Sequence, residues 1–355
     1  MKIHFPAEWN PQSAVLMTFP HAGTDWKHDM DEVTRCFAAI AKEIIKREKL
    51  IIVCRSTEDV KKALQIRHCE SCEERSSRSN PEAVFSRIIF REISSNDTWA
   101  RDHGPVSIFA DDIPYLLDFT FNGWGLKFPA NLDNQITKQL YKSKVFTPET
   151  VYQNMLHIVL EGGSIETDGE GTILTTNRCL LSANRNEYKS QEEIADYLSL
   201  IFGVNRILWL NHGYLAGDDT DSHIDTLARF CNPETIAYVQ CSDSNDVHFE
   251  ELSRMESEIR KFKTLSGKPY RLIPLPMAEP VYQEGERLPA TYANFLIING
   301  AVLLPFYNSP SDEIAKTRLQ DAFPEREVIG IDCSPLIKQH GSLHCVTMQL
   351  PDGLV

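Results

Sequence analysis

Helix, strand and hairpin signals recur about five times along this chain, always in that order. Apolar residues at helical spacing mark residues 28–47 (Met30, Val33, Phe37, Ile40, Ile44), and Leu50 to Cys54 follows as a buried strand. Thr57-Glu58-Asp59-Val60 reads as a capped helix start, and Ile88 to Ile93 as the next strand. Val106–Ala110 and Tyr115–Phe121 form a strand pair across an Asp111-Asp112 turn. A second round runs from a helix near 131–143 to strands at 157–160 and 172–176, with Thr167-Asp168-Gly169-Glu170-Gly171 as the hairpin turn. A third has a helix at 190–202, a strand at Arg206 to Leu210, and paired strands around 224–230 and 236–240. A fourth has a helix near 246–263 and strands at 270–275, 294–298 and 301–305. A fifth has a helix near 311–322, a strand at 327–331, and a last strand from His344 to Leu350.

Units of this size cannot bury an apolar face alone, so they stack on their neighbours. The expectation is one α/β domain over residues 1–355, closed like a propeller. A doubly wound sheet is the alternative, but it needs fewer hairpins. Gly162-Gly163 is only a glycine pair, and no lysine-serine ending follows it, so a nucleotide-binding loop is not expected.

A net charge of −14 repels phosphate backbones and excludes nucleic-acid binding as the expected role. It favours the approach of small cations instead. The 9 cysteines are odd in number and irregularly spaced, and several sit in apolar runs. This is the pattern of buried free thiols in a reducing compartment. No run reaches the length of a membrane span. Met1-Lys2-Ile3-His4-Phe5-Pro6 lacks the long apolar segment expected of a signal peptide. A cytoplasmic location without a membrane partner is expected. The sequence does not set the assembly, and a homodimer is one state it allows. Residues 67–81 are polar and charged and read as an exposed loop. Cys69-Glu70-Ser71-Cys72 within it lacks the second pair that structural zinc needs.

Four short stretches carry the chemistry. They are Asp97-Thr98-Trp99-Ala100-Arg101-Asp102-His103-Gly104-Pro105, Leu160-Glu161-Gly162-Gly163, Ser222-His223-Ile224-Asp225, and His344-Cys345-Val346-Thr347. A thiol beside an imidazole can act as a nucleophile. Grouped carboxylates match a planar guanidinium through paired hydrogen bonds. Together they point to attack on a guanidinium carbon. Each residue also has a plainer reading. Cys345 could be a small buried apolar residue, placed at the start of the last strand. His223 and Asp225 could be a hydrogen-bonded pair on one strand face, or ligands of a divalent cation. Asp97 could be a turn former with Arg101 as its ion-pair partner, and Glu161 an ordinary carboxylate at a strand end.

In combination these motifs resemble the agmatine deiminase family, which includes the bacterial-type peptidylarginine deiminases. Phe5-Pro6-Ala7-Glu8-Trp9-Asn10-Pro11-Gln12-Ser13-Ala14-Val15 is similar to its opening. Asn96 to Pro105, Glu161-Gly162-Gly163-Ser164-Ile165, His223-Ile224-Asp225 and His344-Cys345-Val346-Thr347 resemble its site motifs, in family order. The resemblance implies the pentein fold, a five-bladed α/β propeller with the site on its axis. It implies Cys345 as nucleophile, His223 as general acid and base, Asp102 and Asp225 as guanidinium ligands, and Glu161 as a further carboxylate. Trp99 would border the substrate channel and Gly341 would contact the substrate. No metal or organic cofactor is implied. The implied reaction converts agmatine to N-carbamoylputrescine and ammonia through a thiouronium on Cys345. The alternatives are a deiminase of free or peptidyl arginine, or a cysteine hydrolase of another class. Gln339-His340-Gly341-Ser342 departs from the run of glycines and asparagine that the family commonly carries before the His-Cys pair.

Overall fold

The computed structural model describes residues 2–66, 85–187 and 190–355. The polar 67–81 loop and its two cysteines lie outside them. The fold is mixed α/β. Its strands form five sheets of three or four strands and one short two-stranded ribbon.

Each of the five larger sheets obeys one rule: an antiparallel neighbour on one side of a central strand and a parallel neighbour on the other. Val106–Ala110 pairs antiparallel with Ile113–Thr120, which pairs parallel with Val151–Val159. Ile165–Thr167, Thr172–Thr176 and Arg206–Leu210 repeat the pattern. So do Ala228–Asn232, Thr235–Gln240 and Arg271–Pro276, and Leu296–Ile298, Ala301–Phe306 and Glu327–Asp332. The last sheet joins the two ends of the chain: Thr347–Pro351 pairs antiparallel with Gln12–Thr18, which pairs parallel with Lys49–Cys54. Among the described residues no sheet has the long parallel order that double winding requires.

Local chemistry explains the elements. Parallel strands buried on both faces read as apolar runs, and Leu50–Cys54 is buried throughout. The Met30–Ile45 helix buries Val33, Phe37, Ile40 and Ile44 at helical spacing. Asp111 and Asp112 both take positive φ, of 48° and 65°, as the tight hairpin between their strands requires. The second helix is capped by Ser56, whose hydroxyl accepts from the Asp59 amide, so Thr57 is its first residue and not its cap.

Three expectations are corrected. The strand before the 167–171 turn is Ile165–Thr167; the earlier Val151–Val159 strand belongs to the preceding sheet. The last strand starts at Thr347, so Cys345 lies in the turn before it. His223 and Asp225 are not on a strand: Ile224–Thr226 is a single 3-10 turn with His223 ahead of it. The 7 cysteines among the described residues are buried and free. Among the same residues no helix is long and apolar enough to cross a membrane.

Candidate active site

In each of the five larger sheets one polar residue stands a few positions ahead of the strand that pairs antiparallel with the central strand. Asp102 precedes Val106–Ala110, Glu161 precedes Ile165–Thr167, and Asp225 precedes Ala228–Asn232. Asn294 precedes Leu296–Ile298, and Cys345 precedes Thr347–Pro351. All five are buried.

Gly163 marks where two of them, Asp102 and Asp225, meet His223. A Cβ there would lie 2.6 Å from His223 Nδ1, 2.9 Å from Asp102 Oδ1 and 3.2 Å from Asp225 Oδ1. Only glycine leaves that space free, which is why the glycine pair follows Glu161. The Gly163 amide also donates to Asp102 Oδ1 at 3.1 Å, and Trp124 Nε1 donates to Asp102 Oδ2 at 2.9 Å. His223 Nδ1 stands 3.6 Å from Asp102 Oδ1, and its Nε2 has no protein partner. Asp225 Oδ2 is held by His344 Nδ1 at 2.7 Å and Asn294 Nδ2 at 3.3 Å, while its Oδ1 is unpartnered. Asn294 Oδ1 accepts from the His344 and Cys345 amides, at 2.9 and 3.3 Å, and from the Cys345 thiol at 3.4 Å.

A cavity of about 450 Å³ reaches this cluster. Its buried lining includes Trp99, Asp102, Trp124 and Cys345, and its exposed lining includes Asp25, Arg55 and Phe128. A Cβ on Gly341 would collide with the Trp99 ring, so this glycine admits the indole against the turn before Cys345. Trp99 and Trp124 meet edge to face at 6.2 Å. His223, Asp225 and Glu161 are not on the cavity lining, but His223 and Asp225 stand beside Asp102, which is.

Burial sets the protonation states. It lowers the His223 pKa to about 3, so the ring is neutral and can take a proton. Burial, with Asp225 and Asp102 nearby, pushes the Cys345 thiol well above its ordinary range. Burial, with Asp225 and Glu161 nearby, likewise raises Asp102 well above the carboxylate range. Burial also opposes charge on Asp225, but the His344 hydrogen bond and the His344, His223 and Arg229 charges together outweigh it, and the net shift is downward. An empty site with unmatched carboxylates therefore holds excess protons, and an arriving cation would release them.

Glu161 binds the protein's own guanidinium: Arg185 Nε lies 2.9 and 3.0 Å from its two oxygens. Glu161, Cys179 and His223 offer ligand atoms within 4.8 Å of one another. The Arg185 charge on both Glu161 oxygens makes this set a poor cradle for a metal ion. Arg101 is not the ion-pair partner of Asp97. It lies 3.6 Å from Glu8 and donates to Gln349 at 2.6 Å, while Asp97 accepts from the Thr98 amide at 2.8 Å.

Sequence reasoning missed Asn294, Trp124 and Arg185. The fivefold register could have found Asn294, since it holds the place that Asp102, Glu161, Asp225 and Cys345 hold in their own units. Asn122-Gly123-Trp124-Gly125 has a turn signature, and Trp124 takes a positive φ of 54° there. Arg185 had no local signal.

The chain is similar to known proteins over nearly its whole length. The agmatine deiminase of Medicago truncatula is 31% identical over 98% of this chain and 96% of its own length. The agmatine deiminase of C. jejuni, solved with substrate bound, has a TM-score of 0.89 at 35% identity, covering 99% of this chain and 97% of its own. A "Putative Arginine Deiminase" from Porphyromonas gingivalis has a TM-score of 0.92 at 52% identity, with both chains covered fully. The family described as Porphyromonas-type peptidyl-arginine deiminase matches residues 4–351, and the chain belongs to it.

Proposed function

We propose that this protein hydrolyses agmatine to N-carbamoylputrescine and ammonia. The observation that carries the reading is the meeting of the Cys345 thiol and the Asp102 carboxylate in one cavity walled by two tryptophans. That is a latent nucleophile beside a carboxyl group that an arriving cation would ionise, in a slot suited to a flat cation. The relatives from Medicago truncatula and C. jejuni bear the same activity in their names.

In this mechanism Asp102 and Asp225 grip the guanidinium nitrogens and hold its carbon over Cys345. The cation offsets the carboxylates that keep the thiol protonated, and His223 takes the thiol proton. Sulfur attacks the carbon, giving a tetrahedral adduct. His223 returns the proton to one nitrogen, which leaves as ammonia, and a thiouronium stays on Cys345. His223 then deprotonates water and hydroxide attacks the same carbon; the C–S bond breaks as the new hydroxyl gives its proton to the departing sulfur, releasing the ureido product and the thiol, and the proton on His223 passes to the released ammonia. Glu161, locked to Arg185, shapes the anionic wall. Trp99 and Gly341 line the approach.

The five like-built sheets support a five-bladed propeller closed over 1–355, with the site on its axis. We read the chain as a cytoplasmic enzyme that needs no cofactor.

One observation favours a second reading. Arg55 is exposed on the cavity lining. Agmatine has no carboxylate for it to meet, whereas free arginine or a C-terminal arginine does. Ammonia release from agmatine, arginine and a peptide ending in arginine, each at the same concentration, separates the readings. Agmatine should give the highest kcat/KM. A preference for either carboxylate-bearing substrate overturns the first reading in favour of the second.

A further inference from the structure

The opening motif around Glu8 has no part in the chemistry above, yet Glu8 ends beside the site. Its carboxylate is buried. Glu8 Oε2 meets Arg229 Nη2 at 2.9 Å, His344 Nε2 at 2.8 Å and Arg101 Nη2 at 3.6 Å, and Oε1 accepts from the Ile297 amide at 2.7 Å. The other nitrogen of the same ring, Nδ1, meets Asp225 Oδ2 at 2.7 Å. One imidazole thus bridges two buried carboxylates. His344 stands next to Cys345 in sequence, but its ring points away from the thiol chemistry.

Two contacts of this length need two protons, because an unprotonated ring nitrogen and a carboxylate oxygen would face each other lone pair to lone pair. Burial disfavours charge on Glu8, but Arg229, His344 and Arg101 outweigh it, so Glu8 stays ionised. Asp225 is also held below its ordinary range. Burial, then the Arg101 and Arg229 charges, disfavour charge on the His344 ring and outweigh Glu8 and Asp225, so these influences alone lower its pKa. The two contacts of 2.7 and 2.8 Å to carboxylate oxygens, each needing a proton between the atoms, argue the other way and decide it. Arg229 is already matched by Glu166 at 2.8 Å, and Arg101 is further from Glu8 than His344 is. The ring is therefore the group left to carry the second proton.

We infer that His344 is an imidazolium clamped between Glu8 and Asp225, and that this clamp positions Asp225 with Oδ1 free for the substrate. His344 is a positioning residue, acting through Asp225 and not on the reacting carbon. The positioning half rests on the deiminase reading; the protonation half does not.

The test labels the histidines with 15N and records the ring signals of the intact, substrate-free protein from about pH 6 to pH 9, with His344→Gln used to assign the signal. We expect one ring with both nitrogens protonated and no titration across that range. A singly protonated His344 ring near neutral pH overturns the inference. For function, Glu8→Gln keeps an acceptor for the Ile297 amide and removes the charge. Its ring should lose one proton, and KM for agmatine should rise by at least about fivefold while kcat falls less. An unchanged KM with a singly protonated ring refutes the positioning role. If Glu8→Gln does not fold, the wild-type spectra still decide the protonation. A wild-type protein that releases no ammonia from agmatine refutes the substrate reading instead, and leaves the ring result standing.

Discussion

Asn294 Oδ1 lies 3.4 Å from the Cys345 sulfur and also accepts the Cys345 amide, so one side chain fixes both the nucleophile and the turn that presents it. The other end of the same amide donates to Asp225 Oδ2 at 3.3 Å. The thiol and a proposed guanidinium ligand are thereby tied to a common post. Asn294→Asp would put a further carboxylate against a thiol already raised by burial, Asp225 and Asp102. We expect kcat to fall by about tenfold or more, with KM less affected and partial recovery at higher pH. Steady-state kinetics across pH checks this, and a full rate at neutral pH would show that Asn294 does not tune the thiol.

Cys345→Ala should abolish turnover and leave the fold intact, because the covalent step is lost. Circular dichroism and ammonia assays measure the two parts. Mass spectrometry of a trapped adduct should map it to Cys345; an adduct on Cys179, the buried thiol near His223, would move the chemistry elsewhere.

Asp102→Asn and Asp225→Asn keep shape and remove a charge. A charge-assisted hydrogen bond contributes on the order of 1.5–3 kcal/mol, and 1.4 kcal/mol is a factor of about ten. Both variants should lose at least about tenfold in kcat/KM. Asp111→Asn and Asp112→Asn, at the hairpin turn, should change little. If Asp102→Asn matches the turn variants while folded, Asp102 does not grip the substrate.

How much of this was legible in the sequence depended on the range of the interaction. The helices and most strands follow from local periodicity and turn residues, so Met30–Ile45 and the Asp111-Asp112 hairpin were readable directly. The partner of the Thr172–Thr176 strand was not. Two segments precede it, Val151–Val159 and the short Ile165–Thr167, and only tertiary packing decides between them. The same holds at the site. Asp102, His223, Asp225 and Cys345 sit in turn-marked motifs, whereas Arg185 finds Glu161 only through the fold. Asn294 lies in an apolar stretch that reads as strand, and its role appears only when the five units are laid over one another.

Exhaustive chelation should leave activity unchanged, since the proposed chemistry uses only protein groups. The nearest potential ligands, Glu161, Cys179 and His223, have Arg185 among them. Activity lost on chelation and restored by one divalent metal would revive the metal reading of His223 and its neighbours.

Glu48 gives a test of pH dependence away from the site. Burial raises its pKa to about 7, against an ordinary value of 4.5. Its Oε2 accepts from the Asn299 amide at 3.0 Å, and its Oε1 is buried without a partner. The folded protein therefore holds this proton more tightly than the unfolded chain does. The stability it contributes is fully present below about pH 4.5 and is lost as pH rises toward 7, with a ceiling of a few kcal/mol at 1.36 kcal/mol per pK unit. Glu48→Gln keeps the acceptor for Asn299 and cannot ionise. Its Tm should exceed that of the wild type at pH 8, and the difference should shrink toward zero near pH 4. Thermal melts of both proteins at the two pH values measure it. A gap that is equal at both, or larger at pH 4, would mean that Glu48 is ionised in the fold, balanced by Arg326 and Arg47 more fully than its burial allows.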